Sequence, residues 1–306
     1  MSATGPVVVL AGGTGGAKLA RGMLDVVGAE HLVVIANTGD DIEVYGAYVS
    51  PDPDLVTFWL ADQIDVRGWG LESDTFAVMD ELRRLGVDVW FNLGDRDLAI
   101  GLERARQLDE GATPTAAQAR IAAALGVRAT ILPMSDRPVR TRVLVGGSWV
   151  PLQEFLIRHG GQAPIDDVDF RHLRAAAPTP EVSTAIATAR AIVIGPSNPV
   201  ISIGPILALG GVRDAIRTAP APVVAVSPLV GGAVLKGPTA AFMQWAGWPL
   251  DSSGLAACYE GLIDGLVADD RISSRPVLQT DVLLDTPESR RRVAAETLRF
   301  ALGLAG

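Results

Sequence analysis

The densest concentration of chemically capable residues lies at Gly12-Gly13-Thr14-Gly15-Gly16, directly after the apolar run Val7–Leu10 and before a helix-like stretch, Lys18–Val27. Glycines let a backbone approach an anion closely. The free N–H groups and positive dipole end of the helix would then face it, so the chemistry is phosphate binding. The motif is not Walker A, since no glycine precedes Lys18 and Leu19 replaces Ser or Thr. Nor is it GxGxxG, since Lys18 takes the third glycine's place. A turn that serves only packing is the alternative. Lys18 and Lys236 are the only lysines, both in glycine-rich surroundings. A compact ammonium suits a phosphate as a point charge where the arginine fork would not.

Two acidic segments follow, Asn37-Thr38-Gly39-Asp40-Asp41 and Pro51-Asp52-Pro53-Asp54. Bare carboxylates near a diphosphate are most naturally gathered by Mg²⁺, which binds through one or two carboxylates plus phosphate oxygens. Helix capping, by Asp54 of a helix Leu55–Gln63, and solvated loop acids are the alternatives. In Leu93-Gly94-Asp95-Arg96-Asp97, Arg96 either neutralises phosphate charge or pairs with Asp95 or Asp97 as a structural clamp, and Asp97 reads as an N-cap. Gly195-Pro196-Ser197-Asn198-Pro199 is a rigid turn whose hydroxyl and amide suit a base or sugar, or serve the turn alone. Tyr48, Trp59 and Trp69 could stack on a planar ligand, with core packing the better reading of Trp59. His31, His159 and His172 fall outside these loops, so no histidine catalysis is expected.

These clusters need a scaffold that brings them to one edge. The runs Val7–Leu10, Leu32–Ala36, Val87–Leu93, Ala129–Leu132, Ala191–Ile194 and Val223–Val226 are short, β-branched and mostly without polar alternation, as in strands buried on both faces. Helix-like stretches alternate with them: Lys18–Val27, Leu55–Gln63, Thr75–Leu85, Asp97–Glu110, Thr115–Leu125 and Pro180–Ala189. The expected fold is α/β, a Rossmann-like open parallel sheet with helices on both faces. Each cluster follows a strand, Ser135-Asp136 and Ser227–Gly232 included, so all would share the crevice at the strands' carboxyl ends.

Thr141–Val145 and Trp149–Leu152 flank Gly146-Gly147-Ser148 and read as a hairpin. With a helix Gln153–His159 and the polar stretch Gln162–Ala177, they form a small α+β insertion at about 137–180 in a single domain, 1–306. Helices are expected at Pro238–Ala246, Leu255–Leu266 and Pro287–Leu304, and a further strand at Val277–Leu284. No internal repeat is present.

Composition closes off other classes. One cysteine, Cys258, rules out an internal disulfide and a CxxC metal site. A formal net charge of −9 argues against a phosphate-backbone footprint, so no nucleic acid is expected. The absence of a basic leader before Val7 and of an uninterrupted apolar span implies a cytoplasmic protein that does not enter a membrane.

Taken in order, Gly-Gly-Thr-Gly-Gly-Ala-Lys, Asn-Thr-Gly-Asp-Asp, Ser-Pro-Asp-Pro-Asp, Gly68-Trp69-Gly70 with Asp74-Thr75-Phe76, Leu-Gly-Asp-Arg-Asp, Leu132-Pro133-Met134-Ser135-Asp136, Gly-Pro-Ser-Asn-Pro and Ser227-Pro228 resemble one family. It is the 2-phospho-L-lactate transferase family of deazaflavin coenzyme biosynthesis, and the resemblance runs from Val7 to about Pro238. It implies transfer of a phosphoenolpyruvyl or 2-phospho-L-lactyl group from a guanosine diphosphate conjugate to the ribityl hydroxyl of the 5-deazaflavin Fo, releasing GMP, with Mg²⁺ as cofactor and a homodimer as the assembly. By the same resemblance, Asp54 and Arg96 are the catalytic pair and, with Trp69 and Ser135, face the deazaflavin. Gly12, Gly13, Thr14, Gly15, Gly16, Lys18, Asn37, Ser197, Asn198 and Pro199 would hold the guanine nucleotide. Asp40 and Asp54 are the metal candidates, and Asp54 either binds the metal or orients the hydroxyl. Nucleotide-sugar-binding relatives keep a non-catalytic regulatory role open. A dehydrogenase is disfavoured by the broken GxGxxG and by Asn37, which stands where an acid would end the second strand.

Overall fold

The computed structural model describes residues 5–162 and 164–304. Ala163 of the polar stretch and the first four residues, where a leader would stand, lie outside it. Seven strands form one sheet in the order Val277–Gln279, Gly265–Ala268, Val223–Val226, Ala191–Ile194, Val7–Ala11, Leu32–Ala36 and Thr130–Pro133. Every pairing in it is parallel.

Successive strand residues feed opposite cores, because side chains alternate across a strand. Val8, Leu10, Ile192 and Ile194 join one buried cluster, and Val7, Val9, Ala11, Ala191 and Val193 the other. Leu19, Ala20 and Met23 from the helix Gly13–Val27, and Val293, Ala294 and Leu298 from the helix Pro287–Leu304, cover the second face. Ile186, Ile216 and Met243 from the helices Pro180–Thr188, Val212–Thr218 and Thr239–Trp245 cover the first. Residues apolar on both faces are thus read correctly as central strands.

Two expectations are corrected. Val87–Leu93 forms no strand. Leu93, with Trp90 and Phe91, packs against Val44, Ala47, Val49, Met79 and Leu98, a satellite core beneath the helices Ala77–Arg84 and Asp95–Asp109. The run is apolar for that reason and has no sheet neighbour. Leu255–Leu266 is a helix only over Ser252–Cys258; the chain turns at Gly261, with φ +66, and enters the strand Gly265–Ala268. Its short apolar run had been absorbed into a helical pattern.

Residues 140–171 carry a separate antiparallel sheet, Ser148–Pro151, Arg140–Val145 and Asp167–Arg171 in that order, with the helix Leu152–Arg158. The third strand lies in a stretch that reads as merely polar. Val143, Leu152 and Phe155 seat this cap on Val200, Ile201 and Phe242.

Candidate functional site

The chain leaves Val7–Ala11 for Leu32–Ala36 on one side, and later returns to pair Ala191–Ile194 on the other. That reversal is a topological switch point, where open α/β sheets bind ligands. The two loops that diverge there are Gly12–Gly16 and Gly195–Pro199, and they touch. Gly12 N–H donates to Ser197 Oγ at 3.3 Å. A Cβ on Gly15 would lie 2.0 Å from the Pro196 carbonyl oxygen, and Gly13 has φ +63. The turn therefore packs as well as opening a helix. The amides of Thr14 and Gly15 in its first turn have no intrahelical acceptor, which leaves donors at the positive end of a 15-residue helix.

Gly12 offers no side-chain cap; instead the Asp52 carboxylate accepts the Gly13 N–H. Asp52 and Asp54 both lie in the first turn of the helix Pro51–Leu60, started by Pro at N1. Residues two apart on a helix face different ways. Asp52 turns to the glycine loop, where Asn37 Nδ2 also donates to it at 2.9 Å. Asp54 turns to the helix Asp95–Asp109 and meets Arg104: Oδ2 accepts from Nη1 at 3.0 Å and Oδ1 from Nη2. Arg104 is 3% exposed, and it donates further to the Tyr48 carbonyl and to Gln118 Oε1. Both Asp54 oxygens are thus committed to a buried ion pair. Asp52, not Asp54, is the carboxylate that bonds the glycine turn.

Asp40 and Asp41 are buried. The cap manages their charge. Gln153 Nε2, from its helix, donates to Asp40 Oδ2 at 2.9 Å, while Asp40 Oδ1 is buried with no hydrogen-bond partner among the described residues. Ser50 Oγ and the Tyr48 hydroxyl donate to Asp41, and Arg140 of the cap donates to Tyr48 Oη at 3.0 Å while lying over its ring. Thr141 N–H, next along, bonds the Gly39 carbonyl at 2.6 Å. Burial, reinforced by the neighbouring Asp52 and Asp41 carboxylates, holds Asp40 well above the usual carboxylate range. Burial likewise pushes Asp52 up to about 6 and Asp41 up to about 7. For Asp41 burial prevails even though the nearby Arg140 and Arg104 guanidinium groups favour its charge. Among the described residues no three acidic, histidine or cysteine side chains gather as a complete metal site. A pair completed by phosphate oxygens is what Mg²⁺ accepts, and Asp40 Oδ1, without a hydrogen-bond partner among the described residues and near the Asp52 carboxylate, fits that demand.

Arg96 is exposed and acts as a clamp: Nη1 donates to the Glu72 carbonyl at 2.9 Å and Nη2 to Gln63 Oε1 at 3.1 Å. It braces both sides of a loop, residues 63–72, that closes through the Ile64–Leu71 bridge. Trp69 on that loop is 63% exposed beneath the Arg67 guanidinium, and a Cβ on Gly68 would lie 3.8 Å from Thr14 Cγ2. The loop therefore overhangs the glycine turn. The flanking acids cap helices reciprocally. Asp74 accepts from the amides of Arg96 and Asp97, and Asp95 from those of Ala77 and Val78. Asp97, expected as an N-cap, caps nothing.

Lys18 is also placed otherwise than expected. It lies more than a turn into its helix, where Nζ pairs with Asp285 at 2.9 Å and sits 5.9 Å from the Trp59 ring centroid. Asn37 holds Asp52 and, through Oδ1, the Gly39 amide. Asn198 Oδ1 accepts from Val200 and Ile201 N–H, which leaves a buried Nδ2 without a partner, and Pro199 is buried beside it. Ser135 is buried and accepts the Arg137 N–H at 3.1 Å. Sequence reasoning missed Arg104, Gln153 and Arg140, which lie on other elements than the acids they hold; each stands among other polar or charged residues of its element, so the sequence carries no signal that singles it out.

A glycine-led helix start at the switch point, buried acids and a cap on a parallel sheet define a Rossmann-like α/β protein. The family model 2-phospho-L-lactate transferase CofD matches residues 7–299. The 2-phospho-L-lactate transferase of Methanosarcina mazei is 38% identical over 87% of each chain. The phosphoenolpyruvate transferase of Kitasatospora aureofaciens is 37% identical over 98% of this chain and 97% of its own. The chain belongs to the 2-phospho-L-lactate transferase CofD family and is a transferase. A crystal structure of a UPF0052-family protein from Bacillus halodurans superposes with a TM-score of 0.58 at 19% identity, covering 95% of this chain and 90% of that one, and confirms the fold. Among the described residues no helix is long and apolar enough to cross a membrane.

Proposed function

We propose that this chain moves a phosphoenolpyruvyl or 2-phospho-L-lactyl group from its guanosine diphosphate conjugate to the ribityl hydroxyl of the deazaflavin Fo, releasing GMP, in the cytoplasm and as a homodimer. The observation that carries the reading is the meeting of Asp52, Asn37 and Ser197 with the glycine-led helix start at the switch point, in a chain whose relatives are named for exactly these two acids' transfer. The donor's diphosphate lies against the free amides of Thr14 and Gly15, and Asn198 Nδ2 is the donor available to its nucleoside. Asp40 and Asp52 would hold Mg²⁺, which would neutralise charge on the diphosphate when bound. The ribityl oxygen bonds to the phosphorus that carries the acid, the bridge to GMP breaks, GMP leaves with the electron pair, and the hydroxyl's proton passes to the departing GMP phosphate or to solvent. Such a transfer asks for positioning and charge neutralisation more than for a covalent nucleophile. The Trp69 loop, braced by Arg96, covers the turn from the side where a planar acceptor would enter.

The test incubates the protein with Mg²⁺, Fo and each guanosine diphosphate conjugate, and follows GMP and the phosphodiester product by mass spectrometry. One conjugate is expected to yield both products in equal amounts. No product from either donor would overturn the proposal.

A further inference from the structure

We propose that a cavity beside the phosphate cradle seats the donor's carboxylate, with Arg137 as the residue that selects for it; this rests on the transferase reading. The cavity, about 220 Å³, is bounded by Thr38, Asp41, Tyr48, Ser135, Arg137 and Arg140. Thr38 ties it to the cradle: the preceding residue, Asn37, bonds Asp52, which in turn bonds Gly13. A group attached to a phosphate held at the glycine turn therefore has this cavity as its neighbour.

The polar lining is unevenly committed. Asp41 is held by Ser50 and Tyr48, and Asp136 accepts both the N–H and the hydroxyl of Thr115. Glu43 is paired with Arg140, whose guanidinium also serves Tyr48. Arg137 is the exception. Its backbone N–H bonds Ser135 Oγ, but among the described residues its guanidinium makes no ion pair or hydrogen bond, although it stands at the mouth of the cavity. Because Ser135 Oγ accepts from that N–H, its own hydrogen is free to be donated. Thr38 Oγ1 is the second unspent group, in a residue only 4% exposed and, among the described residues, without a hydrogen-bond partner. A buried hydroxyl left unpaired on a cavity wall implies a polar occupant.

A guanidinium and two hydroxyl donors match a carboxylate. Phospholactate and phosphoenolpyruvate, the acids for which the relatives are named, both carry one that does not react and must be accommodated. Leu108, Pro114 and Pro138 complete the lining with the apolar surface that a short carbon skeleton requires.

Titration calorimetry, without Fo and so independent of turnover, compares the guanosine diphosphate conjugate of phosphoenolpyruvate with an analogue in which hydrogen replaces the carboxylate. The parent protein is expected to bind the acid about tenfold or more tighter, as a charge-assisted hydrogen bond affords. In Arg137→Met that preference falls below about threefold while affinity for the analogue is kept; Arg137→Lys keeps part of it, and Thr38→Val loses part of it. Equal binding of the two ligands by the parent, or an undiminished preference in Arg137→Met, would overturn the assignment. Failure of the transferase reading shows separately, as absent GMP release once Fo is added.

Discussion

Asp54→Asn separates a reacting carboxylate from a structural one. In the structure Asp54 spans both terminal nitrogens of Arg104, and the two are almost wholly buried. Asparagine keeps the shape but removes the charge, so Arg104 is left buried with only the Tyr48 carbonyl, the Gln118 amide oxygen and the new amide as partners. Breaking one partner of a buried pair costs about 3–5 kcal/mol. For a chain of 306 residues, an unfolding entropy of about 2.1 cal/mol/K per residue makes each kcal/mol worth about 1.6 °C, so the melting temperature should fall by about 5–8 °C. Scanning calorimetry at neutral pH reads the shift, and GMP release measured well below the transition reads the function. A loss of melting temperature with turnover kept within about tenfold is expected. A variant that melts within a degree of its parent and yet loses turnover by about a hundredfold would refute the assignment and return Asp54 to the reaction.

Asp52→Asn should do the reverse, weakening Mg²⁺ binding in a calorimetric titration and lowering GMP release by at least about a hundredfold with little change in melting; retained affinity for Mg²⁺ would remove Asp52 from the metal pair. Lys18→Met should leave turnover within about twofold, because the Lys18 ammonium is already committed to Asp285 in a surface pair worth at most about 1 kcal/mol; a collapse in donor affinity would place the ammonium at the phosphate after all. Gly15→Ala drives a methyl to 2.0 Å from the Pro196 carbonyl oxygen and should part the two switch-point loops, abolishing donor binding; a variant that binds normally would show the contact to be slack. The half-buried Asp97 is pushed up to about 7 by burial and by the Asp54 and Asp74 carboxylates. The folded chain thus binds this proton more tightly than the unfolded one, so the group's stabilising contribution is complete below about pH 4 and is lost as pH rises through 7. Asp97→Asn should therefore gain stability relative to the parent between pH 5 and pH 8 in urea titrations, and a relative loss over that range would contradict the sign.

How far these roles were legible depends on whether a residue's partner is local. Val7–Leu10 and Ala191–Ile194 read as central strands because burial on both faces leaves no polar alternation, and the loops after them follow from parallel pairing. Val87–Leu93 has the same apolar density for a different reason, the satellite core that it fills, and composition does not distinguish the two uses. The helix start at Pro51 places two acids on different faces, but which face meets the cradle is decided by Arg104, brought in by a distant helix. Lys18 fails in the same way: its residue type suits a phosphate, while helix phase sends it to Asp285.

The acids point to what the cap is for. Asp40, Asp41 and Asp52 sit together without solvent, and each raises the cost of ionising another or bears that of its own burial. Gln153 and Arg140, which answer Asp40 and Asp41, both come from residues 140–158, an insertion that a two-layered sheet does not otherwise need. The same insertion borders the cavity through Arg140 and docks on the acidic loop through Thr141. An electrostatic role follows: the cap shields Asp40 and Asp41 and supplies the groups that answer them, Gln153 and Arg140, beside the glycine turn. Without the cap that cluster would open to water, and the burial that raises Asp40 and Asp41 would be relieved.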